Sequence, residues 1–98
     1  MTTRQLRRYE MDPERVDGFV AWFESGLAEV RSAHGFTIEW TYLDVERTEF
    51  TWLVSFDGDL EAFRAAEAAY SGSDASRALS ARMPDAIRAM HVSFVAPV

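Results

Sequence analysis

Two histidines, His34 and His91, are the side chains of this 98-residue chain best suited to moving protons at neutral pH. Cysteine and lysine are absent, and all ten basic residues are arginine. Thiolate nucleophiles and lysine Schiff bases are therefore excluded. Any catalysis must use histidine, carboxylates, hydroxyls, backbone or a borrowed cofactor. His91 lies between Met90 and Val92 in an apolar segment. It is either a general base toward an acidic phenol or enol, or a core or interface histidine satisfied by one hydrogen bond. His34 ends a helical pattern just before Gly35, where an imidazole can bond the last carbonyls and complement the helix dipole. Its alternative is ligand binding, as an axial haem ligand for example. Arg8, Tyr9, Trp40, Tyr42, Trp52 and Tyr70 form an aromatic and polar set that could line a pocket, since Tyr and Trp join a flat apolar body to one polar tip. In such a pocket Arg8 or Tyr9 would stabilise an enolate or phenolate beside His91. The same residues also suit a plain core. The histidines have no metal-ligand spacing, so no metal site is expected, and phosphate-loop and nucleophile-elbow motifs are missing.

The elements that must position these residues follow from periodicity. Residues 4–11 read as a first strand, and Arg4, Arg7 and Arg8 as its solvated end. Asp12 and Pro13 suit the N-cap and first position of a helix. Val16, Phe19, Val20, Phe23, Leu27 and Val30 then recur at spacings of three and four, which predicts one amphipathic helix to about Ala33, with Gly35 as its C′ residue. Residues 36–44 and 49–56 alternate as strands, with apolar side chains at the even positions of both. That parity sets Trp40 opposite Trp52 and requires a three- or five-residue loop, or a bulge. Asp59 can cap a helix over 60–70, and a short helix is expected over 74–82. The last strand carries Ile87, Ala89 and Val95 on one face and Met90, Val92, Phe94 and Ala96 on the other.

The predicted order is βαββαβ, an α+β ferredoxin-like unit with a four-stranded antiparallel sheet in a single domain over 1–98. Its two main helices cover one sheet face only. Apolar residues on both faces call for a second cover, most simply another copy of the chain, so a homodimer is expected. If Leu6 faces the helices, Tyr9 faces that partner. The net charge of −6 argues against nucleic acid and anionic membrane partners. No signal-peptide core or membrane-length apolar run occurs, and a cytoplasmic protein is expected. Arginine in place of lysine, and no asparagine, point to a GC-rich bacterial coding sequence.

Leu6-Arg7-Arg8-Tyr9, the Phe19/Trp22/Phe23 helix, His34-Gly35-Phe36, Glu49–Val54 and the Tyr70…Ser73…Arg77 segment together resemble the NIPSNAP family of the dimeric α+β barrel superfamily. The resemblance spans roughly residues 4–98. It implies a homodimer whose sheets face each other in a barrel, with a pocket between helices and sheet that binds a small hydrophobic or aromatic molecule. The wider superfamily includes cofactor-independent monooxygenases and polyketide cyclases, which would make His91 a general base in secondary metabolism, and also haem-using enzymes. No cofactor is expected here, and the haem contexts of those relatives are missing. A structural dimer without ligand is the remaining alternative.

Overall fold

Alternating side chains with high β propensity form the strands Thr2–Met11 (β1), Phe36–Leu43 (β2), Glu49–Asp57 (β3) and Ile87–Val95 (β4). In the computed structural model, which describes all residues from Met1 to Val98, they make one antiparallel sheet in the order β2-β3-β1-β4. Helices Val16–Glu24 (α1) and Leu27–Ser32 (α2) link β1 to β2, while Leu60–Ser71 (α3) and Asp74–Ala81 (α4) link β3 to β4. The expected ferredoxin-like α+β architecture is present, with a second helix in each crossover. No helix is long and apolar enough to cross a membrane.

The expected single first helix is two. Ser25 donates both its N–H and its hydroxyl to the Trp22 carbonyl, at 3.1 and 2.6 Å, and extended backbone at Gly26 follows. The apolar stripe runs on across this break from Phe23 to Leu27, so spacing alone does not reveal it. Asp12 caps the turn before α1 rather than α1 itself, accepting from the Glu14 N–H at 2.9 Å. The Asp59 cap acts as read, Ser73 caps α4, and Gly35 stands two residues beyond the Ala33 C-cap rather than at C′. Asp59 accepts from Ala62 N–H and Ser73 from Ser76 N–H, and Gly35 has a φ of 86°.

All four helices lie against one sheet face. Phe19, Phe23, Leu27, Phe63, Tyr70 and Leu79 bury against Tyr9, Met11, Phe36, Phe50, Trp52 and Val54. Edge-on aromatic pairs lock the layers, with centroids 5.2 Å apart for Phe23–Trp52 and 5.1 Å for Phe36–Phe63. Each such pair contributes about 0.5–1.5 kcal/mol beyond its buried area.

Register decides which residues share that face. Gln5, Arg7 and Tyr9 lie opposite Val54, Trp52 and Phe50, so β1 turns these three toward the helices. Leu6 therefore looks the other way, and Tyr9 does not face a partner. In the β2–β3 hairpin Phe36 and Ile38 oppose Phe56 and Val54, but the register slips between Ile38 and Trp40. Trp40 then opposes Leu53 instead of Trp52, and Thr41 takes the place across from Trp52. The bulge lets Leu43 join the core while Trp40 and Tyr42 move to the open face. A five-residue segment, Asp44–Thr48, joins the two strands. A second irregularity pairs Met11 with Ile87 and brings Ile87 to the helix side with Met90, away from Ala89 and Val95.

Candidate functional site: a charged cluster in an aromatic cavity

Three charged side chains occupy positions that periodicity reserves for core. Arg7 shares strand parity with Gln5 and Tyr9. Arg31 follows Phe23 and Leu27 at successive spacings of four, and Glu67 falls between Phe63 and Tyr70 on the inner stripe of α3. All three point between helices and sheet, and there they meet.

Arg31 is only 3% exposed. Its Nη1 and Nη2 both bond the Glu67 carboxylate, the second at 3.3 Å. Arg7 Nη2 lies 3.5 Å from the same carboxylate, its Nε donates to Gln5 at 2.9 Å, and its Nη1 donates to the Tyr9 hydroxyl at 2.8 Å. Aromatic rings support both cations. The Arg31 guanidinium carbon is 4.0 Å from the Tyr70 centroid, 5.0 Å from that of Phe36 and 5.5 Å from that of Trp52; Arg7 is 5.3 Å from Trp52. Two guanidinium groups against one carboxylate leave this cluster with a formal charge of +1 inside a protein of charge −6. Two buried donors, Arg31 Nε and Trp52 Nε1, have no acceptor.

The cluster forms one wall of a cavity of about 300 Å³. The lining also includes the apolar Phe19, Trp22, Phe23, Leu27, Ile87 and Met90, and hydroxyls from Ser71, Ser76 and Ser80. The Trp22 indole N–H donates to the Leu79 carbonyl at 2.9 Å, which ties α1 to α4 across the chamber. Ser71, Ser80, Met83 and Met90 are exposed and mark its mouth. A second cavity of about 210 Å³ lies between α1 and the β2–β3 hairpin, lined by Val20, Phe23 and Tyr42 among others.

Of the residues singled out in the sequence, Tyr9, Trp52 and Tyr70 come together in the main cavity. The others do not reach it. Arg8 and His91 oppose each other on the open sheet face, where Arg8 lies 3.4 Å from Glu49 and His91 Nε2 lies 2.7 Å from a Glu10 oxygen. His91 lines neither cavity. Trp40 stacks on Tyr42 with centroids 5.3 Å apart on that same face. His34 does cap its helix, with Nδ1 3.1 Å from the Val30 carbonyl oxygen, and meets the Tyr70 ring edge-on without lining the cavity. Arg4, Arg7 and Arg8 are not one solvated cluster, because strand alternation sends Arg7 inward and the other two to the open face. Sequence reasoning passed over Arg7, Arg31 and Glu67. The available signal was a charge at each of three core-facing positions.

No protein-family model matches the sequence, and no curated protein matches it. Solved structures do match in fold. A NIPSNAP domain protein from Burkholderia xenovorans superimposes with a TM-score of 0.84 at 13% identity, covering 100% of this chain and 95% of its own. A NIPSNAP family protein of unknown function from Agrobacterium tumefaciens gives 0.85 at 12% identity, covering 98% and 87%. A Caulobacter crescentus protein assigned by name to the antibiotic biosynthesis monooxygenases gives 0.74 at 17% identity, covering 99% and 90%. The chain thus has the ferredoxin-like α+β fold of the NIPSNAP proteins, the likeness its residues suggested, and shares that fold with the monooxygenase-named protein.

Proposed function

We propose that this protein binds a small hydrophobic or aromatic molecule in the cavity between the helices and the sheet. The observation that carries this reading is the chamber itself. Its volume of about 300 Å³ reaches the range of small-molecule sites, and its mainly apolar lining carries a fixed polar cluster. A chain needing only a core would fill this space with side chains, since interiors pack as densely as organic crystals. The test is titration with the neutral fluorescent probe N-phenyl-1-naphthylamine. Ser76 is buried against the cavity, and its side chain makes no hydrogen bond of its own. Wild type should bind one probe per chain, and Ser76→Leu should weaken binding at least tenfold while keeping its circular dichroism. Failure of the folded wild type to bind would favour the ligand-free structural dimer.

A catalytic form of this reading takes its support from the Tyr9 hydroxyl, 2.8 Å from Arg7 Nη1 at the cavity wall. Those two groups, rather than Arg8, would stabilise an enolate or phenolate in a reaction of the monooxygenase or cyclase type, and His91, outside the cavity, would not be its general base. A homodimer formed through the open sheet face belongs to the same proposal. That face carries Leu6, Leu53, Trp40 and Tyr42 beside charges of both signs, so a second copy is not repelled.

A further inference from the structure

We infer that the molecule bound in this cavity carries one negative charge at one end, a carboxylate or an enolate, seated against Arg7, Tyr9 and the Arg31 side of the cluster. The inference rests on the cavity being a ligand site and adds the chemistry of its head group. Two observations carry it.

The first is charge. Removing guanidinium groups from water is costly unless each finds a counter-charge. Glu67 is shared between Arg31 and Arg7, so one positive charge stays uncompensated at the wall of a low-dielectric chamber. The second is Tyr9. Its hydroxyl accepts from Arg7, which leaves its own proton for an acceptor in the cavity. The lining also includes Leu27, Ile87 and Met90, which suits a molecule with an apolar body behind its charged head.

The same arithmetic sets the charge at one. A dianion such as a phosphate monoester would bring a second negative charge against the Glu67 carboxylate with no cation to receive it. A cationic head would meet two guanidinium groups.

The experiment compares naphthalene-2-carboxylate with the neutral 2-naphthalenemethanol and the dianionic 2-naphthyl phosphate by calorimetric titration of the intact protein. The carboxylate should bind at least tenfold more tightly than either. Arg7→Gln should bring its affinity down to that of the alcohol. The wild-type comparison stands by itself, so the outcome does not depend on the variant folding. If alcohol and carboxylate bind equally, or the phosphate binds best, the head-group inference is overturned while the cavity remains a ligand site. If none of the three binds, and N-phenyl-1-naphthylamine also fails, the ligand-site reading falls with it.

Discussion

Arg31 of α2 grips Glu67 of α3 through both terminal guanidinium nitrogens, and the two partners are unequally buried, with 4% and 25% of side-chain surface exposed. The inequality predicts an asymmetry. Glu67→Leu leaves a nearly dry guanidinium without a counter-charge. Its cost should approach about 3 kcal/mol, the lower end of the range for breaking a buried pair from one side. Arg31→Met keeps an apolar stem of similar reach and leaves a carboxylate that water and Arg7 still satisfy. Its cost should be at most about half as large. Urea denaturation of both variants measures the difference, and a larger loss in Arg31→Met would contradict the burial argument.

Acid should loosen the molecule at two surface carboxylates. Asp44 accepts from the Thr48 N–H, the Glu49 N–H and the Thr48 hydroxyl at 2.7, 2.8 and 2.7 Å. These bonds, led by the Glu49 N–H, hold its carboxyl below the usual carboxylate range. Asp12 is lowered likewise, first by the Glu14 N–H and then by Arg88. A folded-state pKa below the unfolded one means that the unfolded chain binds more protons, so stability rises with pH. The contribution is complete above the unfolded value of about 3.9 and is lost as pH falls through the lower folded value. Asp44→Asn should therefore be less stable than wild type at pH 6, with the gap narrowing as pH falls below the usual carboxylate range. Melting temperatures across that range give the comparison, and a constant gap would rule out the carboxylate as its source.

Much of this fold can be read along the chain, because strand parity and helix spacing are set by what must face the core. The order of elements, the Gly35 ending and the Asp59 and Ser73 caps all follow from local patterns. A one-residue slip does not. The bulge between Ile38 and Trp40 leaves every residue type in place and reverses which side each one faces beyond it. The site was hidden for a related reason. Arg31 and Glu67 each place a charge on the inner stripe of a helix, and each becomes intelligible only beside the other, 36 residues away. A charge at a core-facing position is therefore a signal to seek its partner rather than to assume solvent.

Two glycine-to-alanine substitutions should have opposite signs. Gly35 ends α2 with a φ of 86°, and a Cβ there would stand 3.0 Å from Phe56 Cε1. Left-handed backbone costs an ordinary L-residue about 1–2 kcal/mol. Gly35→Ala should thus lower the melting temperature by roughly 5–10 °C for a chain of this size. Gly18 lies inside α1, where a Cβ would meet nothing nearer than Pro84 Cγ at 3.9 Å. Gly18→Ala removes backbone freedom from the unfolded chain and should stabilise by about 0.5–1 kcal/mol. Differential scanning calorimetry on the two variants decides both.

The open sheet face gives the last prediction. Leu53 lies in register between Leu6 on β1 and Trp40 on β2, and Trp40 stacks on Tyr42, which is 67% exposed. Around them, Arg4–Glu39 and Arg8–Glu49 pair charges of opposite sign within the chain, and His91 lies 2.7 Å from Glu10. A face with an apolar centre and balanced charged edges is suited to a second copy of itself, and burying Leu53, Trp40 and Tyr42 is what would hold the pair. Leu53→Glu places a carboxylate at that centre without touching the cavity, which opens on the other side of the sheet. Wild type should sediment as a dimer at micromolar concentration and Leu53→Glu as a monomer. The variant should keep wild-type affinity for N-phenyl-1-naphthylamine, because cavity and interface use opposite faces. A wild type that sediments as a monomer would remove the dimer from the proposal. Loss of probe binding in a folded Leu53→Glu monomer would instead mean that the cavity depends on the partner subunit.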